Sequence, residues 1–314
     1  MHIDLSVATA GLFVGFTVGL TGMGGGALMT PLLVLLFKVQ PLAAVSSDLV
    51  AAVIMKPVGG SVHLRRGTVN FALVKWLMAG SVPAAFAGVL VLRRLGDGAA
   101  IQARVKEALG VALIVAAFSI AAKALLQVRL ARRASAPGAA AIAELDDRPR
   151  FRARPLATAL VGAGGGLVVC MTSVGSGSLM IVLLMLLYPM LTSSELVGTD
   201  LVQAVPLVGS AALGHLLFGD FRLALTASLL VGCLPGVYLG AKVSSRARDA
   251  VIRPALAVIL LASGLKLLDL GTGWLVVVVL AVVVAALLYL LYLGLVRPRL
   301  AAATVRRAPA RAGR

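Results

Sequence analysis

Residues 48–91 read DLVAAVIMKPVGGSVHLRRGTVNFALVKWLMAGSVPAAFAGVLV, and residues 200–243 read DLVQAVPLVGSAALGHLLFGDFRLALTASLLVGCLPGVYLGAKV. Laid together at a shift of 152 without a gap, they share 15 identities in 44 positions. Leu, Ala and Val matches carry little weight in so apolar a chain. The polar and helix-breaking matches carry much more: Asp48 falls on Asp200, His63 on His215, Gly67 on Gly219, Gly80 on Gly232, Pro83 on Pro235 and Gly88 on Gly240. A duplicated unit sets equivalent breaks and polar groups around a pseudo-twofold axis, the plan of many secondary transporters.

Composition fixes the class. Hydrophobic residues make up 60% of the 314, charged residues 13%, and the mean hydropathy is +1.04. Residues 5–37, 155–194 and 273–296 carry no charge. About 20 apolar residues cross the hydrocarbon core, so each stretch suffices for a span and the first two exceed one. The chain reads as an all-α polytopic membrane protein; a β-barrel would alternate in segments of roughly ten residues. The net charge of +17 is concentrated beside the apolar stretches. Seven arginines lie in 129–154 and six after residue 296. Basic loops of this kind stay cytoplasmic and meet acidic lipid. Aromatic residues are 5%, so no base-stacking platform accompanies the charge and nucleic acid is not the expected partner. The first basic residue after His2 is Lys38, so the basic leading region of a cleavable signal is missing. Cys170 and Cys233 stand alone in apolar segments and read as small buried hydrophobes.

Dips in hydrophobicity divide the chain into a first membrane repeat (1–128), a basic cytoplasmic linker (129–154) and a second repeat (155–268). An additional helix (269–296) and a basic cytoplasmic tail (297–314) follow. The opening segment of each repeat is too long for one crossing and is interrupted midway. The first interruption is Thr21-Gly22-Met23-Gly24-Gly25-Gly26, the second Thr172-Ser173-Val174-Gly175-Ser176-Gly177-Ser178. Each glycine costs a helix about 1 kcal/mol relative to alanine, and unwound backbone at membrane depth survives only where protein or water satisfies it. Gly-broken helices at the bundle centre are therefore expected. If linker and tail share the cytoplasm, the number of crossings between them is even. A broken segment crossing twice then inverts one repeat relative to the other. This arrangement places Arg93, Arg94, Arg104 and Lys106 outside.

The breaks are the first candidates for binding. Helices resuming near Ala27 and Ser178 would aim free N–H groups and the positive dipole end at a ligand, which suits a small oxyanion. Thr21, Gly22, Gly24, Gly25, Gly26, Thr172, Ser173, Gly175, Ser176, Gly177 and Ser178 form this expected substrate site; close helix packing through small residues is the bland reading. Asp48 and Asp200 are intramembrane acids and so functional candidates, although a hydroxyl-Asp pair near a helix start is also a cap. Gln203 lies on the face of Asp200, with Ala51 as its counterpart. His63 and His215 could carry a proton, or anchor helix ends by bonding carbonyls. Lys56, Lys75 and Lys123 read as side chains reaching for the interface, with Lys56 before Pro57 a further candidate for the path. Pro83 and Pro235 mark matched kinks or hinges. Two histidines make no metal site, nothing asks for a cofactor, and no hydrolase or nucleotide-binding pattern appears, so no enzyme is expected.

Gly22-x-Gly24-Gly25-Gly26-x-x-x-x-Pro31-Leu32, then Ser47-Asp48 and a second copy after a basic linker, resembles the sulfite exporter TauE/SafE family of permeases. The resemblance covers about 5–268, and the second copy departs from it where Ser173 and Ser176 replace glycines. It implies a multi-pass transporter of sulfur-containing anions such as sulfite and organosulfonates. Combined with the anion-friendly breaks, the expectation is a secondary transporter of the inner membrane working by alternating access. With the cytoplasm negative, efflux of an anionic charge is favoured by about 2.3 kcal/mol per 100 mV. A permease for carboxylates or other metabolites would share this architecture, and a membrane scaffold without transport is a more remote alternative.

Overall fold

Proline and glycine decide where the helices begin, break and touch. The computed structural model describes residues 4–21, 25–94, 98–134, 153–218, 221–244 and 249–269. Most of the expected linker, the expected added span and tail from 270 on, and the break residues Gly22 and Gly24 lie outside them. Every regular element among the described residues is an α-helix. The helices are α1 (Leu5–Thr21), α2 (Gly26–Leu35), α3 (Pro41–Arg65), α4 (Phe71–Arg94), α5 (Ala99–Ala134), α6 (Pro155–Thr172), α7 (Leu179–Leu187), α8 (Ser193–Phe218), α9 (Leu223–Ser244) and α10 (Asp249–Leu267). Pro41 and Pro155 open α3 and α6, where a missing N–H costs nothing. Asp4 caps α1: its carboxylate accepts from the Ser6 hydroxyl and from the Ser6 and Val7 amides, which holds its pKa below the ordinary value.

Among the described residues, five helices are long and apolar enough to cross a bilayer: Phe71–Arg94, Ala99–Ala124, Pro155–Thr172, Ser194–Phe218 and Leu223–Gly240. Their outer faces expose Phe71, Phe118, Leu156, Leu160 and Tyr238. Apolar side chains turned outward all around a bundle with a polar centre suit lipid as solvent. The chain is a multi-pass membrane protein. The helix α5 begins in a charged stretch, ahead of its apolar residues. Its first turns carry Arg104, Lys106 and Glu107, and Lys106 Nζ reaches Asp269 beyond α10 at 2.7 Å.

Packing follows a crossed scheme. The helix α1 lies along α9, and α6 lies along α4. Between them α3 packs on α8, and α5 on α10. The close approaches are made through glycine, as small residues allow in membranes. A methyl group added at Gly80 or Gly162 would run into the carbonyls of Ala159 and Leu77, and one at Gly166 into that of Ser81. On the other side, a methyl at Gly232, Gly11 or Gly15 would meet the carbonyls of Ala8, Leu229 and Cys233. These contacts recur at the offsets by which the two stretches of sequence align. Backbone cannot retreat as a side chain can, and overpacking costs about 1–3 kcal/mol. Gly80→Ala and Gly232→Ala are each expected to destabilise the bundle by that amount, read as a lowered unfolding temperature in detergent. Pro83 and Pro235 sit inside α4 and α9 on exposed faces, three residues beyond these glycines.

Candidate functional site

The two breaks meet. The first is described from Gly25, which precedes α2 without a side-chain cap. A methyl at Gly26 would collide with the backbone carbonyl of Ser173, the first residue after α6. The second break is fully described. Ser173 is left-handed at φ 56°, and Gly175 and Gly177 have φ of 117° and 103°, values that glycine adopts without strain. Thr172 holds its shape, donating to the Val168 carbonyl at 2.6 Å and accepting from the Val174 amide at 3.1 Å. The helix α7 then starts at Leu179, with Ser178 before it making no side-chain cap.

Both acids are turned onto these breaks. Asp48 lies about two turns into α3, too far along to cap it. Its Oδ2 accepts from Thr30 Oγ1 of α2 at 2.8 Å, and the Ser173 hydroxyl also bonds to it. One carboxyl thus ties the helix after the first break to the start of the second. Asp200 lies equally deep in α8. Its carboxyl accepts from Gln203 Nε2 at 3.0 Å and from the Gly177 amide. The Gln203 oxygen in turn accepts from Ser81 Oγ of α4 at 3.3 Å. The capping reading of the two acids is therefore corrected. The residues that would have met a ligand with open N–H and O–H groups are partly engaged already, Gly177 by Asp200 and Ser173 by Asp48.

Lys56 corrects a second expectation. It does not reach for the interface but is 7% exposed inside the bundle. Its ammonium donates to Ser176 Oγ of the second break and feels the charges of both Asp48 and Asp200. Sequence held a signal for this placement: Asp48, Ala52 and Lys56 fall at successive i, i+4 positions on one helix face, so a lysine two turns beyond an intramembrane acid shares its side. The counterpart of Lys56 in the second stretch is Val208, and the charge is thus asymmetric. A buried charge is tolerable only when paired and hydrogen-bonded. Here the charges of Asp48 and Asp200 act on the ammonium from beyond salt-bridge distance, while Thr30, Ser173, Ser176, Gln203 and the Gly177 amide supply the hydrogen bonds.

The matched histidines part company. His63 sits half-buried at the end of α3, with Nδ1 2.9 Å from Thr68 Oγ1. His215 is fully buried. Its Nε2 lies 2.7 Å from the Cys170 carbonyl and its Nδ1 2.8 Å from Ser46 Oγ. A carbonyl only accepts, so Nε2 carries the proton there. The bonds of His215 tie α8 to α6 and α3 rather than to the acids. Lys75 lies on the exterior over the Trp76 ring, 5.7 Å from its centroid. Cys170 and Cys233 are buried free thiols. No group of His, Cys, Asp and Glu able to hold a metal occurs among the described residues.

The family model described as Sulfite exporter TauE/SafE matches residues 7–267. The chain is also 38% identical over 267 residues to a Bacillus subtilis (strain 168) protein named probable membrane transporter protein YjnA, a match covering 85% of this chain and all of that one. No solved structure matches.

Proposed function

Because the chain belongs to the sulfite exporter TauE/SafE family, we propose that it is a permease that moves a small anion by alternating access. A sulfur oxyanion such as sulfite, or an organosulfonate, is the substrate class. The observation that carries this reading is the meeting of the two breaks, with Gly26 seated against Ser173 and Asp48 bonded to both sides of that junction. Irregular backbone at membrane depth, lined by a few convergent polar groups, is how transporters build a binding site between two repeats. The two halves are read as inverted repeats, whose crossed packing on either side of the junction would let one half rock against the other. No chemical transformation is assigned to the chain. Its setting is the inner membrane, with the basic residues of 129–154 and 297–314 on acidic headgroups at the cytoplasmic face.

The test is the substrate panel. Purified protein in proteoliposomes is given inward gradients of isotope-labelled sulfite, sulfate, thiosulfate, methanesulfonate and acetate. Sulfur oxyanions are expected to show saturable uptake at least about tenfold faster than acetate, equivalent to about 1.4 kcal/mol of discrimination. Uptake of acetate alone would move the assignment to the carboxylate class. Silence across the panel would end the permease reading for these anions.

A further inference from the structure

Lys56 sets a buried ammonium against the second break, in a cluster that also holds two carboxyl groups. We propose that Lys56, together with Ser176, takes up the transported anion, and that a proton joins the Asp48–Asp200 pair as the anion arrives, so that both move in the same direction. The inference rests on the anion-permease reading above and adds to it a receptor residue and a coupling ion.

The geometry favours Lys56 over the other basic residues. Its ammonium is buried beside the break and held by a serine hydroxyl, not by a carboxylate at salt-bridge distance. When Ser176 Oγ accepts from Lys56, its own O–H remains able to donate. Ammonium and hydroxyl thus present adjacent donors to one oxyanion. Thr30 and Ser173 are directed at Asp48, and Gln203 and the Gly177 amide at Asp200. The other titratable groups that face it are Lys123 of α5, whose charge acts on Asp200, and the Cys233 thiol of α9, which faces Asp48.

Charge accounting then supplies the proton. At rest two carboxylates share the Lys56 ammonium, with the Lys123 charge acting on Asp200 as well. An arriving anion draws on the same ammonium, leaving the carboxylates undercompensated in a site shielded from water. Uncompensated buried carboxylates take a proton instead of remaining charged. A single proton on the pair offsets the incoming negative charge, and its departure on the other side restores the resting state.

The experiment uses the full chain in sodium-free proteoliposomes with a pH dye in the lumen. Methanesulfonate and thiosulfate serve as probes, since both are ionised across pH 6 to 8 and carry no proton themselves. An inward probe gradient is expected to acidify the lumen in step with uptake. Lys56→Met is expected to lower uptake at least tenfold, and Lys56→Arg to retain flux with a raised half-saturation. Asp200→Asn is expected to lower the pH signal per anion taken up, read as a ratio at whatever flux remains. Should Lys56→Met fail to insert, Lys56→Gln with Asp200→Asn, which removes opposite charges together, is measured in its place, with the same loss expected. Unchanged half-saturation without the Lys56 charge, or uptake by the unaltered protein with no pH change or only with sodium, overturns this proposal and leaves the permease reading standing. No uptake of either probe by the unaltered protein overturns both.

Discussion

Gly26→Ala is expected to stop transport while Gly25→Ala leaves it nearly intact. A methyl at Gly26 would have to occupy the space of the Ser173 carbonyl, an atom of the left-handed residue that starts the second break. It cannot rotate away without moving the backbone that carries Val174 to Ser178. A methyl at Gly25 would meet the flexible end of Met55 at 3.6 Å and Val18 at 3.9 Å, ordinary van der Waals contact. Misplacing the junction by even about 1.4 kcal/mol changes a rate tenfold, and overpacking against backbone reaches about 1–3 kcal/mol. Flux per inserted molecule should therefore fall at least about tenfold in Gly26→Ala and less than about twofold in Gly25→Ala. The pair is measured by uptake normalised to protein recovered from the membrane. Equal flux in the two variants would show that the junction is not where transport happens.

The second large effect concerns stability. Asp48→Asn combined with Asp200→Asn is expected to destabilise the protein, by less than the ~3–5 kcal/mol that breaking a buried contact ion pair costs, since both carboxyls act on Lys56 from beyond salt-bridge distance. Each asparagine can keep part of its hydrogen bonding. At position 48 the Thr30 and Ser173 hydroxyls can rotate to suit an amide, and at position 200 the Gln203 amide can turn over while the new oxygen still accepts from Gly177. What cannot be replaced is the negative charge opposite Lys56. Adding Lys56→Met to the double variant should recover most of the loss, because neutralising all three members leaves no orphan charge. Thermal unfolding in detergent reads both steps. If the triple variant is no more stable than the double, Lys56 is compensated by something other than these two acids.

The architecture was legible in the sequence to the extent that it depends on local chemistry. Charge-free stretches, consecutive glycines and an acid inside an apolar run announce membrane helices, breaks and a polar centre without reference to distant neighbours. The misreadings arise where tertiary packing decides. Lys56 lies 120 residues from Ser176, and a local window cannot say whether a lysine ends in water or beside a serine of another helix. His63 and His215 occupy matched positions, yet one ends beside a turn and the other between three helices, because identity at a position says nothing about what packs on it. The start of α5 is hidden from a hydrophobicity reading for a local reason: Arg104, Lys106 and Glu107 interrupt hydrophobicity without interrupting the helix. The acids looked like caps because Ser47 and Thr199 precede them. Only the true starts at Pro41 and Ser193 show that both carboxyls are free to face the centre.

The crossed pairing of α1 with α9 and of α4 with α6 also constrains how the molecule is made. When the ribosome has delivered α1 to α5, four of those helices still lack the surfaces they will lie against, and the glycine faces of α1 wait for a helix more than two hundred residues downstream. The first half therefore cannot reach its final packing alone: α1 gains its partner surface only once α9 has been made, and closure of that pair is a late event.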